Sequence, residues 1–253
     1  MFIRNERSIK EFIRYYPVVS TIIIIHILTW LLDIIPIGLF NQLYHLGVGS
    51  HWGLQNGEYW RFITPIFLHG GLTHMLFNSF SLVLFGPALE EMLGKAKFLF
   101  AYIGAGVLAN IATFIIHPSI LYSHVGASGA IFGLFGVYVF MVAFRKNLID
   151  SQSSQIVMVI FIIGIIMTFL RPNINIYAHI LGFVVGFLIA PLVLNGARPY
   201  YPPQYRKSYD DDGEIRFDPN RWKKKRFSRK TKQNFLWTII IILVVIGVLY
   251  NVF

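Results

Sequence analysis

Long apolar runs separated by short polar connections fill most of this chain. Seven of them read as membrane spans, at 18–40, 74–93, 97–116, 128–144, 156–170, 176–194 and 235–253. A hydrocarbon core about 30 Å thick takes about 20 helical residues. The runs at 128–144 and 156–170 are short by that measure, which sets their ends only to within several positions. The run at 18–40 is too long for a signal peptide and has no small-residue cleavage site, so it reads as a retained anchor.

The placement of cations orients the spans. Arg4, Arg7, Lys10 and Arg14 precede the first, Lys95 and Lys97 follow the second, and Arg145 and Lys146 follow the fourth. Arg221, Lys223, Lys224, Lys225, Arg226, Arg229, Lys230 and Lys232 lie between the sixth and the seventh. Alternating spans put all four groups on one side, while the opposite connections hold chiefly Arg61 and Arg171. Basic loops stay inside, so the N-terminus is expected in the cytoplasm and the C-terminus outside.

Composition agrees with this picture. Only 13% of the 253 residues are charged and 55% are hydrophobic, against about 25% charged in a soluble domain. The class is therefore an all-α polytopic membrane protein. A net charge of +10 would suggest nucleic acid in a soluble protein. Here the cations gather on one face of a membrane, which points to topology and anionic lipid headgroups and to no nucleic-acid partner. The absence of cysteine excludes disulfides, thiolate catalysis and cysteine metal sites.

Four segments follow. Residues 1–17 are an amphipathic cytoplasmic piece, with Phe2, Ile9, Phe12, Ile13 and Tyr16 on one helical face and the cations on the other, suited to the inner membrane surface. Residues 18–195 form the membrane domain. Residues 196–234 carry Pro199, Pro202, Pro203, an Asp210–Asp212 run and then the basic cluster; they read as a linker whose basic end meets acidic headgroups, or as a solvated topology signal. Residues 235–253 are the seventh span.

The candidate chemistry lies in polar residues that apolar spans should lack, because a desolvated hydroxyl or imidazole is costly. With the N-terminus inside, spans two, four and six all begin at the outer face. His74 opens span two with Asn78 one turn below, Ser128 opens span four, and His179 lies about one turn into span six. At 1.5 Å per residue all four sit at similar depth on one side. Ala178, Gly182, Gly186 and Ala190 recur every fourth position on span six, and Gly129, Gly133 and Gly136 mark one side of span four. Such small residues let helix backbones approach closely, which would bring His179 towards Ser128. A serine needs a base to take its proton, and attack on a carbonyl needs donors for the oxyanion. The Ser128 amide at a helix N-terminus, the Asn78 amide and the His74 ring could supply them. The outer halves of spans two, four and six contain no acidic residue, so the expected unit is a dyad with the histidine held by packing. Two histidines, His69 and His74, make a poor metal site, and no metal or other cofactor is expected.

Four motifs then bring a family into view: Glu58-Tyr59-Trp60-Arg61, the run from His69 to Asn78, Gly126-Ala127-Ser128-Gly129-Ala130-Ile131-Phe132-Gly133, and the run from Ala178 to Gly186. In this order the sequence resembles the rhomboid intramembrane serine proteases of bacterial type. The resemblance implies a rhomboid-like six-helix bundle, here with an additional C-terminal transmembrane helix. It implies an endopeptidase of the cell membrane that cuts transmembrane segments of protein substrates near the outer face. Ser128 would be the nucleophile, His179 the general base and acid, and His74, Asn78 and the Ser128 amide the oxyanion stabilisers. Gly126, Gly129 and Gly182 would support the site. Residues 45–73 would form the family's large outer loop, fixed in part by Trp60 and Arg61. Phe132 departs from the pattern, since a tyrosine often stacks on the catalytic histidine there. Two other classes are a silent relative that binds membrane clients, which usually lacks the serine or the histidine, and a solute transporter or channel, which should carry charges at mid-depth.

Overall fold

Nine α-helices dominate the computed structural model, which describes residues 6, 8–35, 37–117, 119–171 and 174–200. They are α1 (Ile9–Tyr15), α2 (Pro17–Ile34), α3 (Gly38–Gly47), α4 (His51–Gln55), α5 (Leu72–Leu93), α6 (Lys95–Ile116), α7 (Ser128–Phe144), α8 (Ser151–Leu170) and α9 (Ile176–Val193). Two short strands, β1 (Gly49–Ser50) and β2 (Ser123–His124), pair antiparallel with Gly49 opposite His124. Residues 1–203 form one unit. The seventh apolar run, at 235–253, and nearly all of the basic segment lie outside the described residues.

Among the described helices, α2, α5, α6, α8 and α9 are long and apolar enough to cross a membrane, and α7 is a shorter apolar helix of 17 residues. The protein is thus an all-α, polytopic integral membrane protein. The run at 128–144 coincides with α7. Two expectations need correction. The run at 18–40 is not one helix: α2 stops at Ile34, Ile35 is extended (φ −79°, ψ 121°), and α3 starts at Gly38. Residue 36 is proline, whose ring excludes helical backbone in the residue before it. The run at 156–170 in fact opens at Ser151, because the Asp150 side chain accepts from the Ser153 amide at 2.8 Å and caps the helix. Its first turn, Ser-Gln-Ser-Ser-Gln, is too polar for a hydropathy pattern to include.

Helix ends explain how the elements are set. Gly71 and Gly94 bracket α5, and the Gly94 amide donates to the Glu90 carbonyl. The Glu90 carboxyl reaches out of α5 to accept from the Val18 and Val19 amides at 2.9 and 2.8 Å. It satisfies free donors in the first turn of α2, where a helix N-terminus favours an acidic group.

The core centres on α7, whose residues from Gly129 to Tyr138 are all buried. A helix that is apolar all round belongs inside, and α7 is enclosed by α5, α6, α8 and α9. Its crossing with α9 is backbone against backbone. A Cβ on Gly182 would overlap the Gly129 carbonyl, and one on Gly186 would overlap the Gly133 carbonyl. A Cβ on Gly136 would meet the Phe183 carbonyl. Gly186→Ala should therefore destabilise the unit by about 1–3 kcal/mol, the usual effect of overpacking, read as a lower thermal midpoint in detergent.

Candidate active site

Ser128 is the first residue of α7. The turn that delivers it depends on Gly126, whose φ of 133° suits only a residue without a side chain. The Gly126 amide donates to the Pro65 carbonyl at 2.8 Å, which ties this turn to the connection before α5. A Cβ on Gly126 would also lie 2.7 Å from Cε1 and Nε2 of His74 and 3.7 Å from Nδ2 of Asn78. Both side chains thus face the turn that carries Ser128. Asn78 is buried, and its Nδ2 has no hydrogen-bond partner among the described residues. A buried donor left unpaired costs about 1–3 kcal/mol, so its orientation calls for an acceptor at this place.

His179 lies in the first turn of α9, which Asn175 caps by accepting from the Ala178 amide at 2.9 Å. Gly129 is so close to α9 that its added Cβ would be 3.3 Å from the Ala178 carbonyl. Their chain neighbours, Ser128 and His179, therefore share one level of the helix pair. The His179 ring stacks on Phe132, one turn below Ser128, with centroids 4.3 Å apart and planes 18° apart. Phe132 offers the imidazole a ring face and no hydroxyl. His179 Nδ1 lies 2.7 Å from Thr168 Oγ1 on α8, so the imidazole is held by more than packing, contrary to expectation.

The connection from α3 to α5 is built from buried polar ties. Arg61 is buried; it donates to the His45 and Val48 carbonyls at 2.9 and 2.6 Å and pairs with Glu58. Trp60 Nε1 donates to the Leu46 carbonyl at 3.0 Å. Asn110 of α6 donates to the Phe62 carbonyl at 2.9 Å and meets His124 Nε2 at 3.1 Å. With the β1–β2 ladder, these contacts hold the segment against the turn before Ser128.

Most of the other histidines pack in ring clusters. His26, His69 and His74 form a train of edge-to-face rings, with centroids 4.6 and 5.1 Å apart. Burial, reinforced by His26 and His74, holds His69 neutral, down to about 2. His51 stands edge-on to His117 and His124. Burial, then the neighbouring His51 and His117, pushes His124 down to about 4. Among the described residues no group of three or more His, Asp or Glu could hold a metal ion.

The structure brings Ser128, His179, His74, Asn78, Phe132, Gly126, Gly129 and Gly182 to one end of the α5–α7–α9 group. Trp60 and Arg61 stand apart, in the connection before α5. Two participants were not singled out from sequence, and a third, Glu58, appeared only within its motif. Asn175 had the mark of a cap, an Asn just before an apolar run. Thr168 was a lone hydroxyl near the end of such a run, and Glu58 sat three residues before Arg61.

Comparison with known proteins identifies similar chains of one family. A family model described as the Rhomboid domain matches residues 56–196. YdcA of Bacillus subtilis is 48% identical over 190 residues, covering 75% of this chain and 94% of that protein. The rhomboid protease GluP of Bacillus subtilis is 37% identical over 137 residues, 54% of this chain and 26% of the longer relative. RHOMBOID-like protein 4 of Arabidopsis thaliana is 30% identical over 195 residues, 77% of this chain and 45% of that protein.

The depressed His124 gives a testable pH dependence. Its unfolded value is about 6.5 and its folded value about 4, so between these limits the unfolded chain binds more protons. Stability contributed by neutral His124 is complete above pH 6.5 and is lost as pH falls towards 4. His124→Gln should narrow the drop in thermal midpoint between pH 7 and pH 5; an unchanged drop would show that other groups carry the acid sensitivity.

Proposed function

The chain belongs to the rhomboid family, and we propose that it is an intramembrane serine endopeptidase in which a Ser128–His179 dyad hydrolyses peptide bonds in or near transmembrane segments of other membrane proteins. The observation that carries this reading is the convergence on the first turn of α7. The His179 ring stacks one turn below Ser128, while His74 and the buried Asn78 amide face the turn that carries it.

The chemistry runs in two halves. His179 takes the Ser128 hydroxyl proton as Oγ attacks the substrate carbonyl carbon. The carbonyl oxygen becomes an oxyanion, received by the Ser128 amide at the positive end of α7 and by the side chains of Asn78 and His74. The tetrahedral centre collapses, the C–N bond breaks, and His179 returns its proton to the leaving amine. Water then enters, His179 takes its proton, and the acyl ester on Ser128 is hydrolysed by the same path in reverse. No cofactor takes part.

Depth follows from length. At 1.5 Å per residue, the 17 residues of α7 span about 26 Å, less than the ~30 Å core. Ser128 then lies a few ångströms below the outer interface, and a substrate helix must unwind locally to offer a bond there, because a helical carbonyl is already hydrogen-bonded. The N-terminus belongs in the cytoplasm by its cations. In α1, Ile9 and Ile13 are exposed, which suits a helix resting on the inner leaflet, and the basic run after α9 would meet anionic headgroups there.

Cleavage of a model transmembrane substrate in proteoliposomes tests the dyad. Ser128→Ala and His179→Ala should each lower turnover by about 10⁴-fold or more. Equal cleavage by wild type and Ser128→Ala would sink the mechanism. Asn78→Ala should lower kcat by about 10²-fold, the usual loss for one oxyanion donor, with KM little changed.

A further inference from the structure

A dyad has no acid to orient its histidine, and stacking does only part of that task. The Phe132 ring fixes the plane of the His179 imidazole. A half-turn about the Cβ–Cγ bond would leave that plane unchanged while exchanging each nitrogen for a carbon. Something must choose between the two orientations and must also decide which nitrogen carries the proton.

Thr168 is placed to do both. Its side chain is buried, and Oγ1 stands 2.7 Å from His179 Nδ1 and 2.8 Å from the Gly164 carbonyl oxygen. A carbonyl can only accept, and a threonine hydroxyl has a single proton. One assignment therefore fills both contacts: Oγ1–H donates to Gly164, and His179 Nδ1–H donates to a lone pair on Oγ1. The half-turned ring would set a carbon against that oxygen, and the opposite tautomer would leave the Gly164 contact without a proton. The partner of one ring nitrogen fixes the state of the other.

Resting on the Ser128–His179 reading, we propose that Thr168 is a positioning residue that holds His179 as the Nδ1–H tautomer, leaving the Nε2 lone pair as the base for Ser128. In this chain the hydroxyl of α8 takes the orienting part that a carboxylate plays in a triad. Unlike a carboxylate, it brings no charge into the site. It also makes the base depend on the seating of α8, whose described buried residues are only Ser153, Val157 and Thr168.

The test uses the full chain in proteoliposomes. Side-chain ¹⁵N spectra of histidine-labelled protein, with the His179 signal assigned by its loss in His179→Gln, should show the Nδ1–H form in wild type. Thr168→Val keeps the shape and removes the hydroxyl. It should move His179 off that form and lower kcat roughly 3- to 10-fold, the worth of one neutral hydrogen bond, at an unchanged KM. Thr168→Ser should restore both. Wild-type protein with its proton on Nε2 would overturn the proposal without any variant. So would an unchanged kcat in Thr168→Val, or equal losses of activity and thermal stability in the Val and Ser variants. Undiminished cleavage by Ser128→Ala would overturn the dyad itself, a result separate from the tautomer in the resting protein.

Discussion

The closeness of α7 and α9 is the constraint on which the rest depends. Gly182 lies against the Gly129 carbonyl and Gly186 against the Gly133 carbonyl, with no room for a Cβ at either. In a bilayer, apolar side chains gain little by leaving lipid for one another, so helix pairs are held by close backbone packing. That packing fixes the level at which the first turn of α9 passes the first turn of α7. His179 stacks on Phe132 because the two backbones are this near. One extra methyl group at the crossing would separate the rings and the residues above them.

A second set of contacts brings the other wall of the site to the same place. The Gly126 turn is hydrogen-bonded to Pro65 and pressed on His74, while Arg61 and Asn110 tie the connection before α5 to carbonyls around it. These are buried polar bonds, and backbone groups left unpaired inside a protein are costly. A long connection can keep non-helical backbone there only if such bonds answer its carbonyls and amides.

Much of this was legible in the sequence. The run at 128–144 coincides with α7, although its short length leaves its ends open by several positions. Charge asymmetry and helical rise were enough to expect Ser128, His179, His74 and Asn78 at one depth, and the glycine stripes suggested how two of them meet. The break between α2 and α3 was hidden because apolar residues continue through Ile37, Leu39 and Phe40, so hydropathy does not register Pro36. The start of α8 was hidden by a polar first turn whose stability comes from Asp150. Thr168 was out of reach for another reason: a hydroxyl in an apolar run usually bonds its own helix, and nothing local reveals that it also meets a histidine on α9. The pattern of one helix reports its own faces, whereas the chemistry here is assembled from four.

The Glu90 carboxyl that closes the first turn of α2 has a consequence for how the protein is made. Its acceptors serve Val18 and Val19, 72 and 71 residues earlier in the chain. A ribosome adds about 5–20 residues per second, so α2 waits roughly 4–14 s before its partner exists. During that interval its leading amides must be met by water or lipid headgroups. Biogenesis of the first hairpin is thus completed by a carboxyl group arriving from the next long helix, and a chain truncated before residue 90 would leave its first anchor unfinished.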